Sequence, residues 1–301
     1  MAIRKILSLD GGGIRGAATA QFLKRLEAEL GGPSLYDTFD LFAGTSTGGI
    51  IAGAIGLLKM HGADLPDLYN YHNANRIMNK SVWDRTMGFA QAEPRYDGKG
   101  KIEVLTEYFG NRTLNEAGKP LLVVTYDVEL RKSDVLKSTG KEEVRAVDAL
   151  NATSAAPLYF PTARVDGEEV RWLIDGGVIA NNPAMCAYAE AKKHWPEDDI
   201  RILSVGTGSR TRVIDGKESR DYGALGWINH DLIGITMDES VVEYQCRVIL
   251  GGAFLRVNSE LVGVNDDMDD TSQRNINALK GLGDRWFDAF GAQALTLLAG
   301  D

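Results

Sequence analysis

The sequence predicts an α/β fold in which a mostly parallel central sheet is covered by helices on both faces and followed by a helical C-terminal tail. Three observations support this prediction. Short apolar runs typical of buried strands recur along the chain, helical segments separate them, and glycine-rich turns follow three of the runs. The chain has 301 residues and no Pro/Ser-rich linker or repeat, so one domain spanning 1–301 is the economical interpretation.

The elements are predicted in order along the chain. Residues 6–9 form a first strand, and residues 17–30 form an amphipathic helix that ends at Gly31-Gly32-Pro33. A short apolar strand precedes Ser46, and the almost wholly apolar stretch 49–60 is too short to span a bilayer, which predicts a buried core helix. Further strands are predicted at 121–126, 170–174 and 200–205, a surface loop at 210–221, and a helical tail at about 222–301.

Two glycine-rich turns carry the first functional signal. The run Gly44-Thr45-Ser46-Thr47-Gly48 has the Gly-x-Ser-x-Gly form of a nucleophile elbow, the sharp turn from strand to helix. The earlier run Asp10-Gly11-Gly12-Gly13 ends a strand with N–H groups that no side chain obstructs, so they can point at a developing negative charge. Together these runs predict Ser46 as a nucleophile beside an oxyanion hole of Gly11, Gly12 and Gly13, as in a serine acyl hydrolase.

The glycine loop also has a competing interpretation as a phosphate cradle. Gly11, Gly13 and Gly16 match the Gly-x-Gly-x-x-Gly spacing of dinucleotide folds. About twenty residues further on, where an acidic ribose ligand is expected, the chain has Gly31-Gly32-Pro33-Ser34. No Gly-Lys-Ser/Thr follows the glycines either, so the nucleotide interpretation fits poorly.

A third turn supplies a carboxylate. The segment 170–174 is predicted to be a buried strand, and it ends in Asp175-Gly176-Gly177. A carboxylate at the end of a strand, followed by glycines that permit close approach, is well placed to act as a base. The alternative is that Asp175 caps the helix that Pro183 begins. The turn alone leaves both roles open.

With these three motifs in view, the chain resembles the patatin-like phospholipase family. The resemblance is carried by residues 10–16, by residues 44–48 and by Asp175-Gly176-Gly177 with its Ala180-Asn181-Asn182-Pro183 continuation, and residues 152–160 and 203–208 support it. It implies a Ser-Asp dyad of Ser46 and Asp175 that needs no histidine and that releases fatty acids from phospholipids or related glycerolipids. The predicted supporting residues are Gly44, Gly48, Gly176 and Arg15.

Arg15 has two predicted roles: steadying the glycine loop, or attracting an anionic head group. An exposed arginine at a helix start, facing only solvent, is the alternative. The four histidines lie outside every motif and are His61, His72, His194 and His230. A histidine brought in by the fold would complete a conventional triad instead.

A dyad without histidine sets a chemical requirement. An aspartate with an ordinary pKa of about 3.9 is a poor base for a serine hydroxyl. The site must therefore desolvate the carboxylate or stabilise the tetrahedral intermediate strongly. The apolar strand before Asp175 is expected to provide the first effect, and the N–H groups near Gly12 and Gly13 the second.

Composition limits the partners. A net charge of −9 argues against nucleic acid and against simple electrostatic adhesion to anionic membranes. Two cysteines exclude a disulfide framework, and no metal-ligand spacing joins them to histidine. The acidic run 266–270 lacks the calcium-loop spacing and is expected to be a solvated loop or a helix start. No metal or other cofactor is predicted. Residues 1–5 run directly into the first strand, which predicts a cytoplasmic protein.

The expected partner is a lipid or ester substrate, and a membrane or micelle surface is one place where it could be met. The segment 77–96 is predicted to form an apolar lip around an acyl-chain groove, or alternatively to pack its aromatic residues onto the core; its apolar residues include Ile77, Met78, Val82, Trp83, Met87 and Phe89. Two alternative functions stay open: a general carboxylesterase with little lipid preference, and a signal- or nucleotide-gated effector or binding module. The sequence leaves the oligomeric state unknown.

Overall fold

The computed structural model describes residues 2–78, 93–210, 213–230 and 232–299. The described strands are β1 Ile3–Leu9, β2 Leu41–Thr45, β3 Leu121–Asp127, β4 Lys132–Lys137, β5 Ala163–Val165, β6 Arg171–Asp175, β7 Asp199–Val205 and β8 Phe254–Val257. They form one sheet in the order β5-β6-β3-β2-β1-β7-β8, with β4 paired to β3. Strands β3, β2, β1, β7 and β8 are parallel, whereas β4, β5 and β6 pair antiparallel. This confirms the mostly parallel sheet.

Helices cover both faces of the sheet, as predicted. The described helices are α1 Gly16–Glu29, α2 Leu35–Thr38, α3 Thr47–Gly56, α4 Tyr71–Ile77, α5 Lys99–Phe109, α6 Ala146–Thr153, α7 Gly177–Ala180, α8 Ala184–His194, α9 Ala224–Asn229, α10 Leu232–Thr236, α11 Ser240–Leu250 and α12 Gln273–Ala299. Side chains alternate between the faces along each strand: Leu7 joins a core with α1, α3, α6 and α12, whereas Ile6 joins a second core with α8 and α11.

Helix α3 is the buried core helix predicted behind Ser46. It packs against the sheet and beside α6, and a Cβ atom at Gly49 would come within 2.8 Å of the Thr153 methyl carbon. Gly53 similarly faces Leu150, at 3.2 Å from its Cδ1. The helix ends at Gly56, earlier than the predicted residue 60, and Lys59 adopts a positive φ of 55° in the turn that follows. The glycines therefore let α3 approach α6 closely.

Strand β6 departs from the prediction. It was expected to be buried, but Trp172 is 39% exposed and only alternate residues such as Leu173 and Asp175 are buried. The reason is its place near the edge of the sheet, where antiparallel strands can leave one face in water. The burial that matters for the site is confined to the last residue of the strand, Asp175, which is 2% exposed.

Strands β2 and β6 lie end to end along β3 and run in opposite directions. Because β4 pairs with residues 122–127 along one edge of β3, both β2 and β6 must share the opposite edge. Thr45 pairs with Val124, and Asp175 pairs with the next residue, Thr125. The last residues of these two strands, which run in opposite directions, are therefore neighbours along the same edge of β3. The chain leaves both strands at the same point of the sheet.

The C-terminal segment is not wholly helical. Strand β8 pairs in parallel with β7, from Ile202↔Phe254 to Val205↔Val257, and the sequence prediction missed it. The strand is only four residues long and mostly buried, so neither its length nor its alternation distinguished it from a helix segment. Helix α12 packs along α1, with the Phe22 and Phe287 ring centroids 6.1 Å apart. None of the helices in the described ranges is long and apolar enough to cross a bilayer.

Candidate active site

Ser46 occupies a sharp turn between β2 and α3. Its φ of 55° is unusual for a residue other than glycine, and such strain is concentrated at functional sites. The glycines on either side make the turn possible: a Cβ atom at Gly44 would collide with the backbone of Gly48, and one at Gly48 would collide with the carbonyls of Leu9 and Asp10. The predicted elbow is therefore present, and Gly44 and Gly48 are required by backbone contacts.

Thr153 holds the backbone of Ser46. Its hydroxyl accepts a hydrogen bond from the Ser46 N–H at 3.0 Å and donates one to the Val124 carbonyl at 2.6 Å. Sequence reasoning had used residues 152–160 only as support for the family resemblance. The feature that could have indicated this role of Thr153 is its position at the C-terminal end of a helix within that stretch.

The glycine loop lies next to Ser46. A Cβ atom at Gly11 would come within 3.0 Å of the Ser46 Cβ. The Gly11 N–H already donates to the Asn181 carbonyl at 3.2 Å, so it is not a free oxyanion donor. The N–H groups of Gly12 and Gly13 make no hydrogen bond within the part of the chain that the structure describes. Of the three predicted glycines, these two offer donors, and Gly13 lines the same cavity as Ser46.

Gly13 takes a positive φ of 59°, and the chain around residue 268 covers it. The Ile14 N–H donates to the Met268 carbonyl at 2.9 Å, so the acidic run 266–270 packs against the glycine loop. In that run Asp269 accepts from Arg95 at 2.6 Å and from the Tyr96 hydroxyl at 2.7 Å. The expected solvated loop is therefore partly wrong, because the Asp269 side chain is only 13% exposed.

Arg15 is buried, at 6% exposure, rather than facing solvent. Its Nε donates to the Gly12 carbonyl at 3.2 Å, and its Nη1 donates to the Gly208 carbonyl at 3.3 Å. These bonds tie the glycine loop to the turn after β7. The contacts fit the loop-steadying role predicted for Arg15.

Asp175 has two carboxylate oxygens in different surroundings. Oδ1 accepts from the Gly177 N–H at 2.7 Å within its own turn, whereas Oδ2 has no hydrogen-bond partner among the described residues. Burial raises the pKa of Asp175 to about 6, against the opposing effects of the Ser46 hydroxyl, the Gly177 N–H and Lys101. The carboxyl group is thus close to Ser46 and desolvated, and one of its two oxygens has no hydrogen-bond partner among the described residues.

The helix that Pro183 begins has a different cap. The Asn182 Oδ1 accepts from the Ala184 N–H at 3.0 Å, so the capping role considered for Asp175 belongs to Asn182. Gly176 is needed for another reason, because a Cβ atom there would collide with the Val124 carbonyl of β3. This close approach brings the turn after β6 against β3, the strand that also supports Ser46 through Thr153.

An apolar cavity opens beside the two side chains. Ser46 and Asp175 both line it, and most of its wall comes from α3, α4, α5 and the loops after α6 and α10. Its apolar lining includes Ile50, Leu68, Val104, Leu105, Phe160 and Met237. From the predicted lip, Ile77 and Met78 also line it, while Val82, Trp83, Met87 and Phe89 lie outside the described residues. The cavity suits an apolar chain lying beside Ser46.

The described histidines lie elsewhere. None of His61, His72, His194 and His230 lines this cavity. His61 Nδ1 is 3.2 Å from a Glu27 oxygen, and His194 Nε2 is 3.1 Å from a Glu190 oxygen. Across the described ranges, no group of three or more His, Cys, Asp or Glu residues is placed to hold a metal ion.

The sequence analysis did not identify two buried cations near the site. Arg256 on β8 forms ion pairs with Asp10, at the start of the glycine loop, and with Glu239. Lys101 on α5 is 2% exposed and lines the cavity. The available signal for Lys101 was its place on the apolar side of α5, one helical turn before Val104 and Leu105.

The mostly parallel sheet carries a strained serine elbow beside a glycine loop and a buried carboxylate. This combination is typical of the class of serine-type acyl hydrolases. The sequence model of the patatin-like phospholipase family matches residues 7–188. The chain therefore belongs to the patatin-like phospholipase family, and it is a lipid acyl hydrolase.

Relatives extend over most of the chain. A cGAMP-activated phospholipase from Pseudomonas aeruginosa is 31% identical over 293 residues, covering 93% of this chain and 86% of the relative. Patatin-like protein 2 of Oryza sativa subsp. indica is 27% identical over 341 residues, covering 94% and 83%. The crystal structure of VipD from Legionella pneumophila aligns with a TM-score of 0.53 at 13% identity over 98% of this chain and 66% of that one. At that identity the likeness to VipD concerns the fold alone.

Proposed function

We propose that this protein releases fatty acids from phospholipids or related glycerolipids with Ser46 as nucleophile and Asp175 as its base. The observation that carries the proposal is the unpaired Oδ2 of Asp175, buried beside Ser46 in an apolar cavity. A desolvated carboxylate with a pKa of about 6 is a far better base than an ordinary aspartate. The phospholipid substrate is supported by the name of the Pseudomonas relative.

The proposed reaction has two halves. Asp175 accepts the Ser46 hydroxyl proton while Oγ attacks the ester carbonyl carbon, and the N–H groups of Gly12 and Gly13 stabilise the resulting oxyanion. The carbon–oxygen bond to the alcohol then breaks, and the alcohol leaves with the proton from Asp175. In the second half water attacks the acyl-Ser46 ester, Asp175 takes a proton from this water and returns it to Oγ, and the fatty acid is released.

The test is covalent labelling combined with two substitutions. A fluorophosphonate is expected to label the wild-type protein at Ser46, and Ser46→Ala should abolish both labelling and phospholipid turnover. Asp175→Asn should reduce turnover by a comparable factor, because the two residues act as a unit. Matched controls are Ser133→Ala and Asp166→Asn, which alter exposed residues that do not line the cavity and should keep full activity.

Retention of turnover by either dyad variant would contradict the proposal. Single substitutions of the four histidines provide the complementary check. Loss of turnover in one of them, with normal folding, would point to a conventional triad.

The name of the Pseudomonas relative also supports a second candidate, activation of the hydrolase by cGAMP. Turnover of the same phospholipid should then rise when cGAMP is added to the purified protein. An unchanged rate across a saturating range of cGAMP would identify a hydrolase that works without this activator.

A further inference from the structure

Lys101 is a buried cation in the wall of the catalytic cavity. Its ammonium donates to the Ser154 carbonyl at 2.8 Å and to the Asn151 carbonyl at 3.2 Å, and it lies 4.0 Å from the Phe160 ring centroid. Carbonyls at the end of a helix lack partners within the helix, so the lysine caps the C-terminus of α6. A buried charge is costly unless it is hydrogen-bonded and paired, and these carbonyls supply the hydrogen bonds.

The segment after α6 connects Lys101 with both proposed catalytic residues. The Thr153 hydroxyl accepts from the Ser46 N–H at 3.0 Å, and the Ala155 carbonyl accepts from the Asp175 N–H at 3.0 Å. Between them stands Ser154, whose carbonyl is the closer acceptor for Lys101. Three successive residues therefore hold the nucleophile, the lysine and the base.

Lys101 also acts on Asp175 through its charge. Burial lowers the pKa of Lys101 to about 7, and the Asp175 carboxylate opposes this effect. In return the ammonium lowers the pKa of Asp175. Around the lysine, the other titratable side chains that line the cavity are the phenols Tyr69, Tyr108 and Tyr159. On the neighbouring helices, Arg76 of α4 pairs with Glu103 and Glu107 of α5, and Asp148 of α6 pairs with Arg145. Lys99 is the other charged residue of α5.

Resting on the proposed Ser46–Asp175 dyad, we propose that Lys101 is a positioning residue for it. The ammonium fixes the 153–155 segment that carries both backbones, and it provides the positive charge that keeps the Asp175 carboxylate ionised for proton transfer. The lysine makes no contact with the reacting atoms in this role.

The test compares K101M and K101Q with the wild type in turnover of a phospholipid below its micelle threshold. K101M removes the donors and the charge, so kcat should fall about tenfold or more while KM stays within about twofold. K101Q retains an N–H donor for the Ser154 carbonyl and should recover part of kcat. In both variants the acid limb of the kcat–pH profile should move upward by about half a unit, because Asp175 loses a neighbouring cation. In the wild type, kcat should also fall above about pH 7, where Lys101 loses its proton. This fall should be absent from both variants.

Lys119 supplies the matched control. It too donates to backbone carbonyls, those of Tyr36 at 2.6 Å and Phe39 at 2.7 Å, and it lies 4.9 Å from the Tyr36 ring centroid. It does not line the catalytic cavity. K119M should therefore lower the melting temperature without changing kcat or the pH profile.

Three results would overturn the inference. K101M could retain wild-type kcat, K119M could lose kcat to the same degree, or the acid limb could stay in place in a folded K101Q protein. Ser46→Ala and Asp175→Asn are measured alongside: if they keep activity, the dyad itself fails, whereas loss in these two with normal K101M kinetics removes only the role of Lys101.

Discussion

At the scale of single residues, the site combines groups that are each unfavourable for stability. Ser46 has a strained backbone, Asp175 is a buried carboxyl group with one unpaired oxygen, and Lys101 is a buried amine. Each feature is costly in an ordinary core, and such features accumulate where chemistry requires them. Functional sites in general lose stability for this reason.

The carboxyl group allows a direct test of this trade-off. The folded-state pKa of Asp175 is about 6, above the usual 3.8, so ionising the group at neutral pH works against folding. Asp175→Asn should then stabilise the protein by about 1 to 3 kcal/mol at pH 7 while abolishing turnover. Below the unfolded pKa, the folded and unfolded states of the wild type both carry the Asp175 proton, so the gain should vanish as the pH falls towards about 4. Urea unfolding at the two pH values measures it.

A less stable Asp175→Asn protein at pH 7 would contradict this account. It would mean that the carboxylate is better satisfied in the folded protein than its unpaired Oδ2 indicates. Asp166→Asn is the control, because that side chain is 68% exposed and should change stability little at either pH.

At the scale of elements, the decisive feature is the head-on meeting of β2 and β6 on one edge of β3. Two strand ends that approach from opposite directions place their next residues side by side without a long loop between them. Each turn also packs tightly against a neighbouring strand: a Cβ atom at Gly48 would collide with the Leu9 and Asp10 carbonyls at the end of β1, and one at Gly176 would collide with the Val124 carbonyl of β3. The turn geometry, rather than loop length, therefore sets the distance between Ser46 and Asp175.

The elbow glycine makes a sharp prediction. Gly48→Ala would place a methyl group against the Leu9 and Asp10 carbonyls, which lie at the end of β1 and are held in place by the neighbouring strand β7. The free energy of unfolding should fall by about 3 kcal/mol or more, and the fluorophosphonate label should be lost. Gly216→Ala is the matched control, because nothing lies within 4 Å of its added Cβ.

A Gly48→Ala protein with normal stability and labelling would show that the elbow can open without cost. Chemical denaturation and labelling of the same preparation give both quantities. The comparison with Gly216→Ala separates the steric effect from the general effect of replacing glycine in the unfolded chain.

At the scale of the whole molecule, the C-terminal segment is part of the site. Arg256 on β8 pairs with Asp10 below the glycine loop and with Glu239 ahead of α11, and its Nη1 donates to the Ser204 hydroxyl at 2.9 Å. The Glu239 carboxylate also accepts from Asn181 at 2.6 Å. The last strand of the sheet thereby holds two loops that were predicted from motifs more than seventy residues upstream.

Removing Arg256 should expose this dependence. Arg256→Met leaves the buried Asp10 and the Glu239 carboxylate without their cation, and we expect a loss of about 3 to 5 kcal/mol in the free energy of unfolding. Arg247→Met breaks a surface pair with Glu243 and should cost less than about 1 kcal/mol. Equal effects of the two substitutions on urea unfolding would contradict the prediction.

The apolar cavity predicts a preference for long acyl chains. Each methylene that it buries contributes about 0.8 kcal/mol until the cavity is filled. Esters of about eight or more carbons should then be hydrolysed with higher kcat/KM than acetyl esters, because some of the binding energy positions the carbonyl. A flat profile from acetate to long chains, measured below the micelle threshold, would favour the general carboxylesterase.

The sequence alone was sufficient for the local features of this protein. A strand, a glycine-rich turn and a helix are neighbours in the chain, so residues 10–16 and 44–48 could be identified from spacing, and apolar runs predicted the parallel sheet. Tertiary structure decided what depends on contacts between distant segments. The pairing of β6 with β3, the commitment of the Gly11 N–H to Asn181, and the buried cations Lys101 and Arg256 belong to this group. A lysine or arginine looks the same in a sequence whether it faces water or a buried carboxylate, because its environment comes from residues that only the fold brings near.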